Sequence, residues 1–347
     1  MIKRSNLDFI KPVFFPNLEI LRAFLAWAVV FSHLFDRLNI VHLEIGNYAV
    51  SGFFVLSGFL ITYLLLTEFR NTGTISLIKF YYRRILRIWP LYYFYLLLAI
   101  IYVGEVDLSV LKYYVMMIPN IAYLYHNMIP YTNHYWSLGV EEQFYLFWPI
   151  FVLLSKDKFL IFSLMMIVFI YAVKMIFYNS LTISSFMHTS KFDLLILGSV
   201  LAYFWSKNIF KFFESIRISY LILIVSIIFY MLVSFNLFYF SKILNHFIFG
   251  LATCFLILSL INIKSNYSKN NFFILNGKIS FGIYVYHSII LDLVIKLILD
   301  YSKNDIDFYN SIIIVLLSFI ITFFTALISY YGIERPFNKL RTTFNYF

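Results

Sequence analysis

Cysteine is almost absent from this chain of 347 residues, in which Cys254 is the single example. One thiol cannot form an intramolecular disulfide, and it cannot build a thiolate metal cluster. Cys254 lies in an apolar run, where a free cysteine usually acts as a small buried residue. No other cluster of side chains has the spacing of a metal site. The sequence therefore predicts no metal centre and no disulfide framework.

Charge is also scarce, because Asp, Glu, Lys and Arg make up only 13% of the residues. Average soluble domains contain about 25% charged residues. Hydrophobic residues reach 62%, and the mean hydropathy is +0.84. These values predict a membrane protein with several spans. The longest loop, about 104–136, is too short for a separate domain, so we expect one membrane domain over residues 1–347. Its core covers about 16–336, with no appended soluble domain.

Ten apolar runs are long enough to cross a bilayer, which takes roughly 17–25 residues per helix. The sequence therefore predicts an all-α, polytopic bundle of about ten transmembrane helices. The predicted spans cover approximately residues 18–37, 48–68, 86–103, 137–154, 159–177, 190–206, 218–236, 243–262, 279–299 and 310–332.

The distribution of lysine and arginine predicts the orientation of these spans. With both termini in the cytoplasm, 19 of the 27 basic residues fall in cytoplasmic segments, five fall outside and three lie within spans. Cytoplasmic loops normally carry this excess. The net charge of +10 is therefore largely a topology signal and requires no nucleic-acid partner. The first apolar stretch resembles a secretory signal, but it is long, contains Arg22 and lacks a cleavage motif, so we expect a retained helix.

The first predicted span contains two polar residues, Arg22 and His33, that a lipid-facing helix would not keep. They are eleven residues apart, so they share one helical face and are separated by about 16 Å along the axis. For Arg22, the alternative is an ion pair with Glu19 on the same face. For His33, it is a buried, hydrogen-bonded residue that ties helices together.

The fourth span begins with two adjacent glutamates, Glu141 and Glu142, just inside its external end. His33 is predicted at a similar depth, near the external end of the first span. Carboxylates at this position could contribute to a site, or they could simply favour the positive end of the helix dipole. Both interpretations can hold, one for each glutamate.

Three arginines, Arg83, Arg84 and Arg87, precede the third span on its cytoplasmic side. One interpretation is the usual cytoplasmic excess of basic residues together with contacts to anionic lipids. The other is phosphate binding, for which guanidinium groups are well suited. Arg84 and Arg87 share a helical face because they are three residues apart.

Three further features have structural and functional interpretations. Gly58 in the second span predicts close helix packing. His287 in the ninth span is either a structural residue or part of a site. His134 precedes the glutamate pair on the outside and could contact a polar molecule there.

Taken together, these motifs resemble the membrane acyltransferase-3 family. The resemblance extends from Leu18 to about Pro336 and follows the expected order. Its motifs are LEILRAFLAWAVVFSHL, GFFVLSGFLIT, RRILR, WSLGVEEQFYLFWP and GIYVYH, followed by ERPF near the C-terminus. Glu19 departs from the pattern, because many members carry aspartate there, although the charge is kept. Some relatives append a helix and an external esterase-like domain, which this sequence does not show.

The resemblance implies a bacterial inner-membrane enzyme that moves an acyl group, most often acetyl, from cytoplasmic acyl-CoA to a sugar hydroxyl outside. Acceptors in the family include O-antigens of lipopolysaccharide, exopolysaccharides, peptidoglycan and lipid-linked sugars. The resemblance also implies that the activity depends on His33, Arg22, Arg84, Arg87 and Glu142. A transporter or flippase for a glycolipid or small acid is the alternative, since it too would place charges inside the bundle.

The resemblance implies a transfer reaction, and the predicted depths fit the following roles in it. Arg84 and Arg87, with Arg83 beside them, would bind the CoA phosphates, and Arg22 would line the path of the donor. His33 would act as general base, because a neutral imidazole accepts a proton. Glu142, with Glu141 beside it, would orient the imidazole as a carboxylate does in hydrolase triads. Direct transfer and an acyl-histidine intermediate both remain open.

Overall fold

The protein is described here by a computed structural model, which covers residues 14–41, 43–177, 190–210, 215–234, 242–263, 271–301 and 307–340. All of its regular elements in these ranges are helices. They are α1 (Pro16–Arg37), α2 (Ile45–Thr72), α3 (Leu77–Val103), α4 (Leu108–Val115), α5 (Pro119–Leu124), α6 (Tyr135–Ser155), α7 (Phe159–Ile176), α8 (Phe192–Ser206), α9 (Ile216–Ser234), α10 (Lys242–Asn262), α11 (Phe272–Tyr301), α12 (Phe308–Ser329) and α13 (Arg335–Leu340).

A helix coincides with each of the ten predicted spans, so the all-α prediction is confirmed. In the described residues, eight continuous helical stretches are long and apolar enough to cross a membrane. One of these, Tyr135–Ile176, contains both α6 and α7, which a short 3₁₀ turn joins. The remaining span is α8, which is apolar but only 15 residues long. The last residues of the span predicted at 218–236 lie outside the described ranges.

Small residues bring α2 and α8 into direct backbone contact. A Cβ atom at Gly58 would overlap the backbone carbonyl of Leu195, and one at Gly198 would overlap that of Val55. The hydroxyl of Ser199 adds a hydrogen bond to the carbonyl of Gly58 at 3.3 Å. Helices in a bilayer associate mainly through such close packing, because lipid tails are as apolar as their side chains. The packing interpretation of Gly58 is therefore the one that the structure supports.

Helix α11 packs along α1, and this pairing determines where the polar residues of both helices meet. Gly277 lies so close to the backbone of Glu19 that a Cβ atom there would clash. Further along, the indole of Trp27 donates to the side chain of Asn276 at 3.1 Å. Helix α1 also packs against α2, and polar side chains from α1, α2, α3, α6 and α11 face a common interior.

Candidate functional site

A cavity of about 260 Å³ lies between α1, α2, α3, α6 and α11. Its wall is mostly apolar, but it includes three arginines, two glutamates and several hydroxyl groups. The polar lining residues are Glu19, Arg22, Ser57, Tyr63, Arg84, Arg87, Ser137, Glu141, Tyr145, Ser280 and Tyr284. Four residues selected from the sequence, Arg22, Arg84, Arg87 and Glu141, therefore meet at one cavity, although the first and last are 119 residues apart in the chain. A concave, mainly apolar site with a few convergent polar groups is the usual form of a small-molecule site.

Arg22 is paired with Glu19 on the same helix. Its Nη1 atom lies 3.0 Å from Oε1 of Glu19, and each side chain is only 17% exposed. The alternative that the sequence offered, an ion pair along one helical face, is thus present. It does not remove Arg22 from the site, because both residues line the cavity. The pair contributes no net charge to the wall.

The three neighbouring arginines of α3 face two different surroundings. Arg84 and Arg87 line the cavity, whereas Arg83 does not. Arg83 is only 2% exposed and contacts the carboxylate of Glu68 at 3.5 Å. This buried ion pair joins α3 to the end of α2, so the contacts of Arg83 are those of a structural residue.

Arg84 belongs to the wall of the cavity. It is buried, and its guanidinium carbon lies 5.7 Å from the ring centre of Phe80 and 5.9 Å from that of Tyr145. Its Nε atom is buried without a hydrogen-bond partner among the described residues. Buried polar atoms are nearly always hydrogen-bonded, so this Nε atom is an exception, as is the Nε atom of Arg83. Because Arg84 also lines the cavity, an anionic group bound there could accept a hydrogen bond from its guanidinium.

Glu141 lies on the cavity side of α6, and two hydroxyl groups satisfy its carboxylate. Ser57 of α2 donates to Oε1 at 2.8 Å, and Tyr145 donates to Oε2 at 2.9 Å. The carboxylate of Glu141 is therefore held in place from both sides. Arg87 also lies within electrostatic range of it.

Glu142 points in another direction, because adjacent residues on a helix are about 100° apart. Its Oε2 atom accepts a hydrogen bond from the indole of Trp89 on α3 at 3.2 Å, and its Oε1 atom is buried without a partner in the described structure. Gln143 turns further and pairs with Asn120 of α5 at 2.9 Å. The three consecutive polar residues therefore contact three different helices. The expected contact between Glu142 and His33 does not occur among the hydrogen bonds of the described residues.

His33 instead contacts a histidine of α11. Its Nδ1 atom lies 2.9 Å from Nε2 of His287, which is completely buried. The ring of His134 lies beside this pair, 4.8 Å from the ring of His287 between centres. His134 directly precedes the span that begins with α6, and burial lowers the pKa of its imidazole to about 3. This three-histidine cluster joins the end of α1, the start of α6 and the middle of α11.

Ser137 and Tyr284 connect the lining of the cavity to the three-histidine cluster. Both residues line the cavity, and their hydroxyl oxygens are 2.7 Å apart. The Tyr284 hydroxyl donates to the backbone carbonyl of His134 at 2.9 Å, and the Tyr284 carbonyl lies 2.6 Å from Nδ1 of His287. Ser137 and Tyr284 therefore link the cavity to the neighbouring three-histidine cluster. His33 itself does not line the cavity.

Sequence reasoning gave His134 and His287 no definite role, and it missed Tyr284. Both histidines interrupt apolar segments, which was the available signal, but their contact with His33 depends on the packing of α11 against α1. In the described residues, no group of three or more His, Cys, Asp or Glu side chains could hold a metal ion.

Comparisons with known proteins identify relatives of the chain. The chain is 29% identical over 362 residues to the O-acetyltransferase OatA of Staphylococcus aureus strains NCTC 8325, COL and MRSA252. The alignment covers 94% of this chain but 58% of each relative, so the chain spans less than two thirds of their length. No solved structure matches the chain.

The family comparison covers most of the sequence. The profile described as an acyltransferase domain matches residues 15–331, from the start of α1 to the end of α12. This interval contains the entire cavity except Phe14, and it contains the three histidines. With its many apolar helices, the chain is a multi-pass membrane protein that belongs to the acyltransferase-3 family.

Proposed function

We propose that this protein is a membrane O-acetyltransferase of the bacterial plasma membrane. It takes an acyl group, most simply acetyl, from cytoplasmic acyl-CoA and transfers it to a hydroxyl of an extracytoplasmic glycan or lipid-linked sugar. The similarity to OatA supports O-acetylation. Family membership supports the acyl donor and the membrane setting.

The observation that carries the proposal is the cavity with Arg84 at its wall. Arginine forks bind phosphate oxygens in pairs, and Arg84 retains an unpartnered Nε atom. We assign the CoA phosphates to Arg84 and Arg87. Arg83 is left out of this proposed donor site because it pairs with Glu68. A cavity of about 260 Å³ is smaller than a typical pocket of about 300–1,000 Å³. It suits the narrow pantetheine arm, while the nucleotide remains at the cytoplasmic mouth.

The arm then passes the Arg22–Glu19 pair and Glu141 toward Ser137 and Tyr284. Helix α1 is continuous from Arg22 to His33, so these two residues are about 16 Å apart along its axis. They act at two depths of one path. Arg22 lies along the donor's route, and His33 lies where the thioester meets the acceptor.

The proposed chemical step uses His33 as general base. The sugar hydroxyl attacks the thioester carbonyl while its proton passes to Nε2 of His33. The carbon–sulfur bond breaks, the new carbon–oxygen bond forms the ester, and the CoA thiolate leaves and takes up the proton. General base assistance contributes about 10²–10⁴-fold to such reactions. Glu141 and Glu142 are both kept as candidate contributors, with Glu141 in the better position because it lines the cavity.

The experiment follows release of CoA thiol from acetyl-CoA by the purified full chain, with a cell-envelope glycan as acceptor. We expect His33→Ala to lower the rate about 10²-fold or more. Its affinity for acetyl-CoA should be unchanged, since His33 does not line the cavity.

The matched control is His126→Asn. His126 is exposed and has a positive φ of 53°, a backbone conformation that asparagine tolerates well. This variant should keep the wild-type rate. A His33→Ala protein with full activity would exclude the assigned base. A folded wild-type protein that releases no thiol would instead favour the transporter alternative.

A further inference from the structure

The hydrogen bonds around His287 determine which nitrogen of His33 carries the proton. The Nδ1 atom of His287 lies 2.6 Å from the backbone carbonyl oxygen of Tyr284. A carbonyl oxygen can only accept a hydrogen bond, so Nδ1 of His287 must carry a hydrogen. In a neutral imidazole the other nitrogen, Nε2, is then an acceptor.

That acceptor faces His33. Since Nε2 of His287 lies 2.9 Å from Nδ1 of His33, the hydrogen between them belongs to His33. Nδ1 of His33 is thus the donor, and Nε2 of His33 retains its lone pair. His33 is partly exposed, and its ring forms a hydrogen bond with His287.

Charges nearby favour the neutral form of His287. Arg37 lies one helical turn after His33 and donates to the hydroxyl of Ser288 at 3.3 Å. Arg37 faces Asp292 at 4.0 Å, and Asp292 is more closely paired with Lys296 at 2.8 Å. No carboxylate of the described residues is paired with His287, so a positive charge on this completely buried ring would be opposed by the charge of Arg37.

We propose that His287 is a positioning residue that fixes His33 in the tautomer whose Nε2 atom can accept a proton. The carbonyl of Tyr284, His287 and His33 form a relay in which each group orients the next. In hydrolase triads a carboxylate holds the base histidine in this way. Here a neutral histidine, itself held by a backbone carbonyl, takes the place that the sequence had given to Glu142. This inference rests on the proposed role of His33 as the base.

Nitrogen-15 NMR of histidine-labelled protein tests the tautomer directly. The chain has seven histidines, and the His33→Ala variant identifies the signals of His33 by difference. In the wild-type protein, we expect a neutral His33 ring with the proton on Nδ1. A proton on Nε2 of His33 would overturn the proposal. This readout requires no activity, so a failure of the proposed function would leave it unaffected.

Two variants of His287 then link the tautomer to the rate. His287→Gln keeps an acceptor for Nδ1 of His33, because the amide oxygen lies near the original Nε2 position. His287→Leu removes the acceptor. We expect kcat to fall about 10²-fold or more in His287→Leu. In His287→Gln, kcat should stay within about tenfold of the wild-type value. KM for acetyl-CoA should change little in either variant. His33 in the leucine variant should show a mixture of tautomers.

The matched control is His246→Gln, a partly buried histidine on α10 that contacts Ser51 at 3.1 Å, away from the cluster. It should leave the tautomer of His33 and the value of kcat unchanged. The positioning role is wrong if His287→Leu folds and keeps the wild-type kcat. It is also wrong if His287→Gln retains the Nδ1 proton of His33 but does not restore activity. If the leucine variant does not fold, the wild-type spectrum and the kcat of the glutamine variant still test the proposal.

Discussion

Arg84→Ala gives the sharpest test of the cavity as a donor site. The substitution removes a buried cation whose Nε atom has no partner in the described structure. It also leaves the neighbouring Arg83–Glu68 pair intact. We therefore expect the folded protein to persist and its affinity for acyl-CoA to fall.

The magnitude follows from the type of contact. A hydrogen bond to a charged group contributes roughly 1.5–3 kcal/mol. Since each 1.4 kcal/mol changes an equilibrium constant about tenfold, losing one such contact to a phosphate should raise Kd about 10–150-fold. Arg84→Lys keeps the charge but loses the planar fork, so its Kd should lie between the wild-type and alanine values.

The assay is equilibrium binding of radiolabelled acetyl-CoA to the purified protein in nanodiscs. Lys79→Ala is the matched control, because Lys79 is an exposed cation on the same helix that does not line the cavity. Its Kd should stay within about twofold of wild type, as expected for a screened surface charge. If Arg84→Ala binds as tightly as wild type, or if Lys79→Ala weakens binding equally, the assignment of the donor site is refuted.

Two further predictions concern stability. Gly58→Val should lower the thermal midpoint of unfolding measured in detergent, because the new side chain would overlap the carbonyl of Leu195. The expected loss of stability is about 1–3 kcal/mol or more. An unchanged midpoint would contradict the close packing of α2 and α8. Arg83→Met should cost about 3–5 kcal/mol by leaving Glu68 buried without its cation. Pairing it with Glu68→Leu should restore much of the midpoint, and a double variant no more stable than the single one would argue against the ion pair.

Much of the fold was predictable because a bilayer constrains sequence strongly. A helix that crosses hydrocarbon must satisfy all its backbone hydrogen bonds internally and be apolar over about 20 residues. Each span accordingly left an apolar run in the sequence, although the runs of the third span and of the short α8 were the weakest. Which helices contact each other was harder to predict from the sequence, because these contacts depend on which helix faces carry small residues such as Gly58 and Gly198.

The arginines of α3 show what helical periodicity can give. Arg84 and Arg87 are three residues apart and were expected on one face, and both line the cavity. Arg83 is rotated by about 100° from Arg84, so it had to face elsewhere once the helix formed. The pairing of Arg22 with Glu19 followed from the same spacing rule.

The surroundings of His33 could not be predicted in the same way. Helical periodicity predicts that Glu141 and Glu142 face different directions, but it does not predict which of them faces the cavity. That choice depends on the rotation of α6, which its contacts with α2 and α3 determine. His287 lies 254 residues from His33, and the two meet only because α11 packs along α1.

The most direct test of the central claim measures transfer across a sealed membrane. Proteoliposomes containing the full chain receive radiolabelled acetyl-CoA on the face that exposes the mouth of the cavity, and a lipid-linked cell-envelope glycan is confined to the opposite face. We predict that ester-linked label accumulates on the glycan and that His33→Ala abolishes this accumulation. Label that stays in acetyl-CoA, or that appears on the glycan equally with His33→Ala, would contradict the account.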